Sequence, residues 1–146
     1  MRGTRKDLST SAWGALLQVH AAVVPVLDRD LQTAVGLPLS WYDVLLELAA
    51  APQRRLRMSD LATRVVLSRT RVSRLVDEMV RAGLVGREEN PDDGRSAYAS
   101  LTQHGLARYR QAAPTYLAGI EQHFAGALSD AELKTITRAL QRVLNT

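Results

Sequence analysis

Cysteine is absent from the 146 residues, which removes disulfides, thiolate metal ligands, thiol nucleophiles and cysteine-based redox sensing together. The three histidines, His20, His104 and His123, are far apart in the chain. No helix-compatible His-x-x-x-His or Glu-x-x-His spacing joins them, so no metal site is expected. Aromatic residues amount to only 5%, and the abundance of alanine and leucine favours helices over a β-sandwich. The chain has no phosphate-binding glycine loop, no dinucleotide fingerprint and no serine elbow followed by acid and histidine. Neither an enzyme nor a cofactor is expected. Apolar runs such as VLLELAAAP are too short to span a bilayer, and no apolar leader follows MRGTRKDLST. The expectation is a cytoplasmic protein without a membrane partner.

What is present is a globular composition, 46% hydrophobic, with a net charge of +4. The charge is unevenly placed. Seven arginines (54, 55, 57, 64, 69, 71 and 74) stand against one acid, Asp60, within a stretch of twenty-one residues. The rest of the chain is slightly acidic. A local basic patch of this kind suits an anionic partner.

Helical periodicity runs from Leu8 to about Val35, with a kink or break expected at Pro25. Gly36 and Pro38 end that segment. Ser40, with Asp43 in a capping-box-like position, is the expected N-cap of WYDVLLELAAA. Ser59 and Ser68 are the expected caps of DLATRVV and RTRVSRLVDEMVRA, the latter stopped by Gly83. The period then changes: LVGREE and SAYASLT, separated by NPDDG, read as a β-hairpin. Helical pattern resumes at Thr102 and is interrupted at Pro114. Ser129 and Glu132 form a capping box before DAELKTITRALQRVL. Two short helices in tight succession followed by a hairpin are what a winged helix-turn-helix needs. The long first and last helices exceed what so small a core can cover, and a second copy of the chain is the economical cover.

On a helical wheel of 69–80, Val72, Leu75, Val76, Met79 and Val80 form one apolar stripe. The other side carries Thr70, Ser73, Arg74 and Asp77, with Arg71 on its flank and Arg69 at the entrance. Arginine can donate two hydrogen bonds to guanine, and small hydroxyls fit close to bases or phosphates. Ser68 and the first-turn amides suit a phosphate. A solvated face is the competing reading, and on the helix alone the two weigh about equally. The hairpin tip, Asn90 to Arg95, adds an arginine placed for a narrow minor groove.

The pieces LRMSDLATRVVLSRTRVSRLVDEMVRAGLVGRE and NPDDGRSAYASLTQHG resemble the MarR family of bacterial winged helix-turn-helix regulators. The likeness rests on Leu61-Ala62, Ser73-Arg74-Leu75-Val76, Gly83-Leu84-Val85, Asp93-Gly94-Arg95 and Leu101-Thr102 to Gly105. It implies a mainly α fold with a small β-hairpin wing, with 40–102 as the DNA-binding lobe and 8–36 and 103–146 as dimerisation helices. It also implies a homodimer on double-stranded, pseudo-palindromic DNA, with the helix at 69–82 in the major groove, Arg95 in the minor groove and Asp93 supporting it. The DNA-binding set is therefore Ser68, Arg69, Thr70, Arg71, Ser73, Arg74, Asp93 and Arg95.

Many members of that family are repressors released by small aromatic or lipophilic effectors. Trp13, His20, Trp41 and Tyr42 are the candidates to line such a crevice, with plain packing as the weightier reading of all four. Arg54, Arg55 and Arg57 suit either nearby phosphates or an anionic effector. Two alternatives stay open: a winged-helix module that docks an acidic protein, and a DNA-binding regulator with no effector.

Overall fold

The computed structural model describes residues 3–65, 67, 69–90 and 93–146. Among these, helix α1 (Arg5–Val35) leads to α2 (Leu39–Ala50), strand β1 (Arg55–Arg57), α3 (Met58–Arg64) and α4 (Arg69–Arg81). Strands β2 (Val85–Asn90) and β3 (Asp93–Leu101) follow, then α5 (Gln103–His123) and α6 (Asp130–Leu144). The three strands form one antiparallel sheet in the order β1-β3-β2. The fold is mainly α with a small β wing, as the sequence implied, with one strand more than the hairpin. That strand, Arg55-Leu56-Arg57, turns only Leu56 inward and is too short to announce itself by periodicity.

Helix starts and interruptions depart from expectation in four places. Pro25 lies inside α1 and does not end it. It sits at an exposed position and supplies no backbone donor to the turn before it. Pro114 is likewise contained within α5. α2 begins at Leu39 behind Pro38, with no side-chain cap, so Ser40 and Asp43 form no capping box. α3 begins at Met58 behind Arg57, also uncapped by a side chain; the Ser59 carbonyl instead accepts from Thr63 Oγ1 at 3.2 Å. Ser68, the expected cap of α4, lies outside the described residues. The capping box at α6 is present: Ser129 Oγ accepts from the Glu132 amide at 3.2 Å and Glu132 Oε1 from the Ser129 amide at 3.0 Å.

The chain divides into two compact units, residues 31–114 and residues 1–30 with 115–146. The first holds a well-filled core around Tyr42, Leu45, Leu48, Leu61, Val76 and Met79, each 2% exposed or less. Tyr42 stacks at a tilt on Tyr109, with ring centroids 5.6 Å apart. The end of α1 is tied into this unit: Gly36 adopts a left-handed conformation, and Arg108 Nη2 donates to the Val35 carbonyl at 2.7 Å.

The second unit joins α1, the end of α5 and α6. Among its described residues only Leu27 and Gly119 are buried, and α6 buries none. His123 Nε2 and Asp30 Oδ2 meet at 3.0 Å, and the Leu27 Cδ2 methyl lies 2.7 Å from where a Cβ on Gly119 would stand. An apolar groove of about 610 Å³ remains, lined by Leu16, His20, Val23, Ile120, Ile136 and Leu140 among others. α1 also carries an 18-residue window of mean hydropathy 1.4, so by length and composition it is able to cross a membrane. This corrects the reading based on unbroken apolar runs, which Ser, Gln and His residues interrupt without lowering the average enough.

Candidate nucleic-acid interface

The unit of residues 31–114 carries every element of the expected DNA-binding surface. In α4 the buried residues are Val72, Val76 and Met79, at i, i+4 and i+7. Leu75 is half-buried and Val80 is 38% exposed, which narrows the expected five-residue stripe to three. At 100° per residue both lie roughly 70° from the middle of the stripe, one on each edge. Thr70, Arg71 and Arg74 are exposed on the opposite side, and Ser73 is half-buried on the flank. A shallow cleft of about 230 Å³ beside this face is lined by Ser40, Leu67, Arg71, Arg74, Leu75 and Glu78. Ser68 and the side chains of Arg69, Asp93 and Arg95 lie outside the described residues.

The end of α4 and the base of the wing are built as one joint. Gly83, left-handed at φ 79°, turns the chain out of the helix, and the Gly83 and Leu84 amides donate to Val80 and Met79 carbonyls at 3.0 Å. Thr102, at the head of α5, binds this turn. Its Oγ1 donates to the Gly83 carbonyl at 2.7 Å and accepts from the Gly105 amide at 2.9 Å, while its amide donates to the Leu84 carbonyl at 3.2 Å. A Cβ at Gly105 would run into the Leu84 carbonyl. The Leu-Thr-x-x-Gly pattern is therefore a clasp on the turn between α4 and β2.

Cross-strand pairing gives the sheet two distinct faces. Leu56 and Ala99 are buried on the inner one, from which Arg87 reaches Asp77 of α4 at 2.6 Å. The outer face brings together Arg55, Arg57, Glu88 and Tyr98. Arg55 lies over the Tyr98 ring, 4.8 Å from its centroid, and pairs with Glu88 at 3.4 Å. Arg57 Nε donates to Tyr98 Oη at 3.4 Å. This arrangement was not readable from sequence, because it depends on the register of β1 against β3.

The four effector candidates are not treated alike. Tyr42 is 2% exposed and packed against Tyr109, and Trp41 is half-buried. His20 lines the apolar groove, and Trp13, 62% exposed, is not among the residues that line it.

A short helix-turn-helix followed by a hairpin with a third strand against it defines a winged helix-turn-helix protein. A sequence model of the MarR family matches residues 35–96. The crystal structure of AbsC, a MarR family transcriptional regulator from Streptomyces coelicolor, superposes with a TM-score of 0.85 at 34% identity, covering 99% of this chain and 97% of that one. Sco3205, a MarR family regulator from the same organism crystallised in complex with DNA, gives 0.85 at 30% identity over 99% and 89%. The repressor YetL of Bacillus subtilis is 25% identical over 111 residues, 74% of this chain and 66% of its own length. The chain spans between about half and two thirds of the length of the curated relatives it matches. It belongs to the MarR family. It is accordingly a DNA-binding transcriptional regulator and not an enzyme.

Proposed function

We propose that the chain acts in the cytoplasm as a homodimeric, sequence-specific repressor on pseudo-palindromic double-stranded DNA, released by a small aromatic or lipophilic effector. The observation that carries the sequence-reading part is α4: its apolar stripe faces inward and leaves Thr70, Arg71 and Arg74 outward. In this reading that face, with Arg69, Ser68 and Ser73, enters the major groove, and Arg95, supported by Asp93, enters the minor groove. Repression is favoured by the description of YetL as a repressor.

The dimer is supported by the unit of α1, α5 and α6. It has almost no core of its own, and Leu16, Leu17, Leu117, Leu140 and Val143 are exposed on its helices. A second copy covering these faces also accounts for the apolar window of α1 without a bilayer. Residues 8–36 and 103–146 then serve dimerisation and 40–102 serve DNA. The effector rests on family resemblance, and the burial of Tyr42 counts against its taking part.

The experiment is fluorescence anisotropy of the purified protein against DNA from immediately upstream of its own gene, beside a shuffled duplex, at two salt concentrations. A preference of about a hundredfold at the higher salt is expected. Equal binding to both, erased by salt, overturns sequence-specific recognition of that region and favours a protein-docking winged helix. A thermal-shift panel of aromatic carboxylates tests the effector, since a ligand of the folded dimer raises its stability. No shift across the panel favours a regulator without an effector of that class.

A further inference from the structure

α6 is apolar on one side and basic on the other. Past Glu132 the chain has no further acidic side chain, while Lys134, Arg138 and Arg142 follow one another at intervals of four. That spacing sets them in one row along the helix, with steps of about 6 Å and a length of about 12 Å. All three are exposed, and among the described residues none of them makes an ion pair. Ile136, Ala139 and Leu140 line the apolar groove, and at 100° per residue the row is centred about 150° away from them. We propose that Lys134, Arg138 and Arg142 form a sequence-blind contact surface for the phosphate backbone of DNA, in addition to α4 and the wing. The inference goes beyond the function proposed above and rests on its DNA-binding reading.

Three arguments support it. The first is charge. A solvated helix face gains stability from acids set three or four residues from its basic groups. In α6 the acids stay in the first turn. Glu132 is engaged in the capping box with Ser129, and Asp130, four residues before Lys134, makes no ion pair with it. Arg142 stands in the last turn, where the helix dipole alone favours a cation. Lys134 and Arg138 are too far from that end to be accounted for in the same way.

The second argument is geometric. A shallow cleft of about 410 Å³ runs beside the row, lined by Leu133, Lys134, Thr137, Arg138 and Gln141. Thr137 gives its hydroxyl proton to the Leu133 carbonyl at 2.9 Å, which leaves the Gln141 amide as the neutral donor on this cleft. Basic side chains with an amide among them are a common set of phosphate partners. One DNA strand presents a phosphate about every 3.4 Å along its axis, so the row matches about three or four of them.

The third argument concerns the partner. The chain is a DNA-binding protein, and a row of uncompensated cations is attracted to a polyanion through counterion release. A lipid surface would need the apolar side of the helix as well, and that side faces the groove it shares with α1 and α5. Phosphate contacts carry no sequence information, so the row adds affinity for operator and non-operator duplexes alike.

The test uses the full chain in salt titrations with long upstream and shuffled duplexes. Lys134→Gln, Arg138→Gln and Arg142→Gln together should weaken binding to both about tenfold and lower the salt slope by about three per bound chain. The preference between the two duplexes should stay as it was. Lys134→Arg, Arg138→Lys and Arg142→Lys together keep the charge and should keep the slope. Thermal melts and light scattering check that each variant is folded and of wild-type mass. Unchanged affinity and slope in the folded glutamine variant overturns the contact, and so does a loss confined to the upstream duplex. A fall to single-chain mass overturns it as well, because the row then pairs with a second copy. Capture of the wild type, but not of the glutamine variant, by phosphatidylglycerol vesicles, with the DNA slope unchanged, assigns the row to a lipid surface instead. Wild-type protein that binds neither duplex overturns the DNA-binding reading itself, whereas a preference for the upstream duplex that the glutamine variant fully retains, in affinity and slope, overturns this inference alone.

Discussion

The carboxylate of Asp77 on α4 and the guanidinium of Arg87 on β2 lie 2.6 Å apart. The pair is a direct link between α4 and the wing, the two elements that the proposed function places on DNA, made ten residues apart in sequence. Both side chains are substantially exposed, at 50% and 38%, so geometry and solvent pull in opposite directions. Exposed pairs contribute about 0.2–1 kcal/mol even when well placed. A double-mutant cycle with Asp77→Asn and Arg87→Gln in urea unfolding should return a coupling in that range, shrinking as salt rises. Coupling of about 2 kcal/mol or more, insensitive to salt, would show the pair to be shielded from water.

Base reading and backbone holding should separate between α4 and the wing. If Arg74 donates to a guanine edge, Arg74→Ala should cost about 1–3 kcal/mol on the preferred duplex and relax its base preference. Uniform weakening on all sequences would make it a phosphate contact instead. Arg95→Ala should mainly lower affinity and flatten the salt dependence by about one per bound chain. The check is the same anisotropy titration across duplexes with single base changes, and an unchanged slope removes Arg95 from the interface.

The two halves of this picture were unequally legible in the sequence. Val72, Val76 and Met79 follow from helical spacing alone, and Gly83 and Ser129 announce a helix end and a helix start through backbone freedom and hydroxyl chemistry. The start of α2 was misread because Ser40 is a good cap in isolation, whereas Pro38 already fixes the entry angle one residue before the helix begins. At Pro25 the expectation is a kink or a break, and the helix runs on through the proline to Val35, which excludes the break. Thr102, Gly105 and Leu84 form their clasp across some twenty residues. The cluster of Arg55, Arg57, Glu88 and Tyr98 spans three strands. Local patterns carry no information about such register-dependent contacts.

Asp43 gives a pH prediction. Its carboxyl is pushed up to about 6, first by burial and second by the charge of Glu47 one turn further on. In the unfolded chain the group titrates near 3.8. Between those values the folded protein holds the proton that the unfolded chain has released, so stability falls as pH rises through about 4 to 6. Above that window the folded state carries an ionised carboxylate in a place that disfavours it. Asp43→Asn should then stabilise at pH 7.5 by about 1 kcal/mol, less than a fully buried group would give because the side chain is partly in water. At pH 4 the gain should have nearly vanished. Urea unfolding at the two pH values measures it, and a gain of equal size at both would assign the effect to packing.

Leu140 tests the cover for the apolar helices. It lines the groove between α1, α5 and α6 and is 38% exposed, so a charge there is tolerable within one chain but not beneath a second copy. Leu140→Glu buried at an interface would place an unpaired carboxylate in apolar surroundings, a cost of several kcal/mol. The expected result is a change from twice the chain mass to 16.1 kDa in light scattering at micromolar concentration, with retained helical circular dichroism. Operator affinity should fall with it, because two recognition helices one DNA turn apart bind far more tightly than one. A variant that stays dimeric would place the second copy on another face of these helices, and a wild type of single-chain mass would remove it altogether.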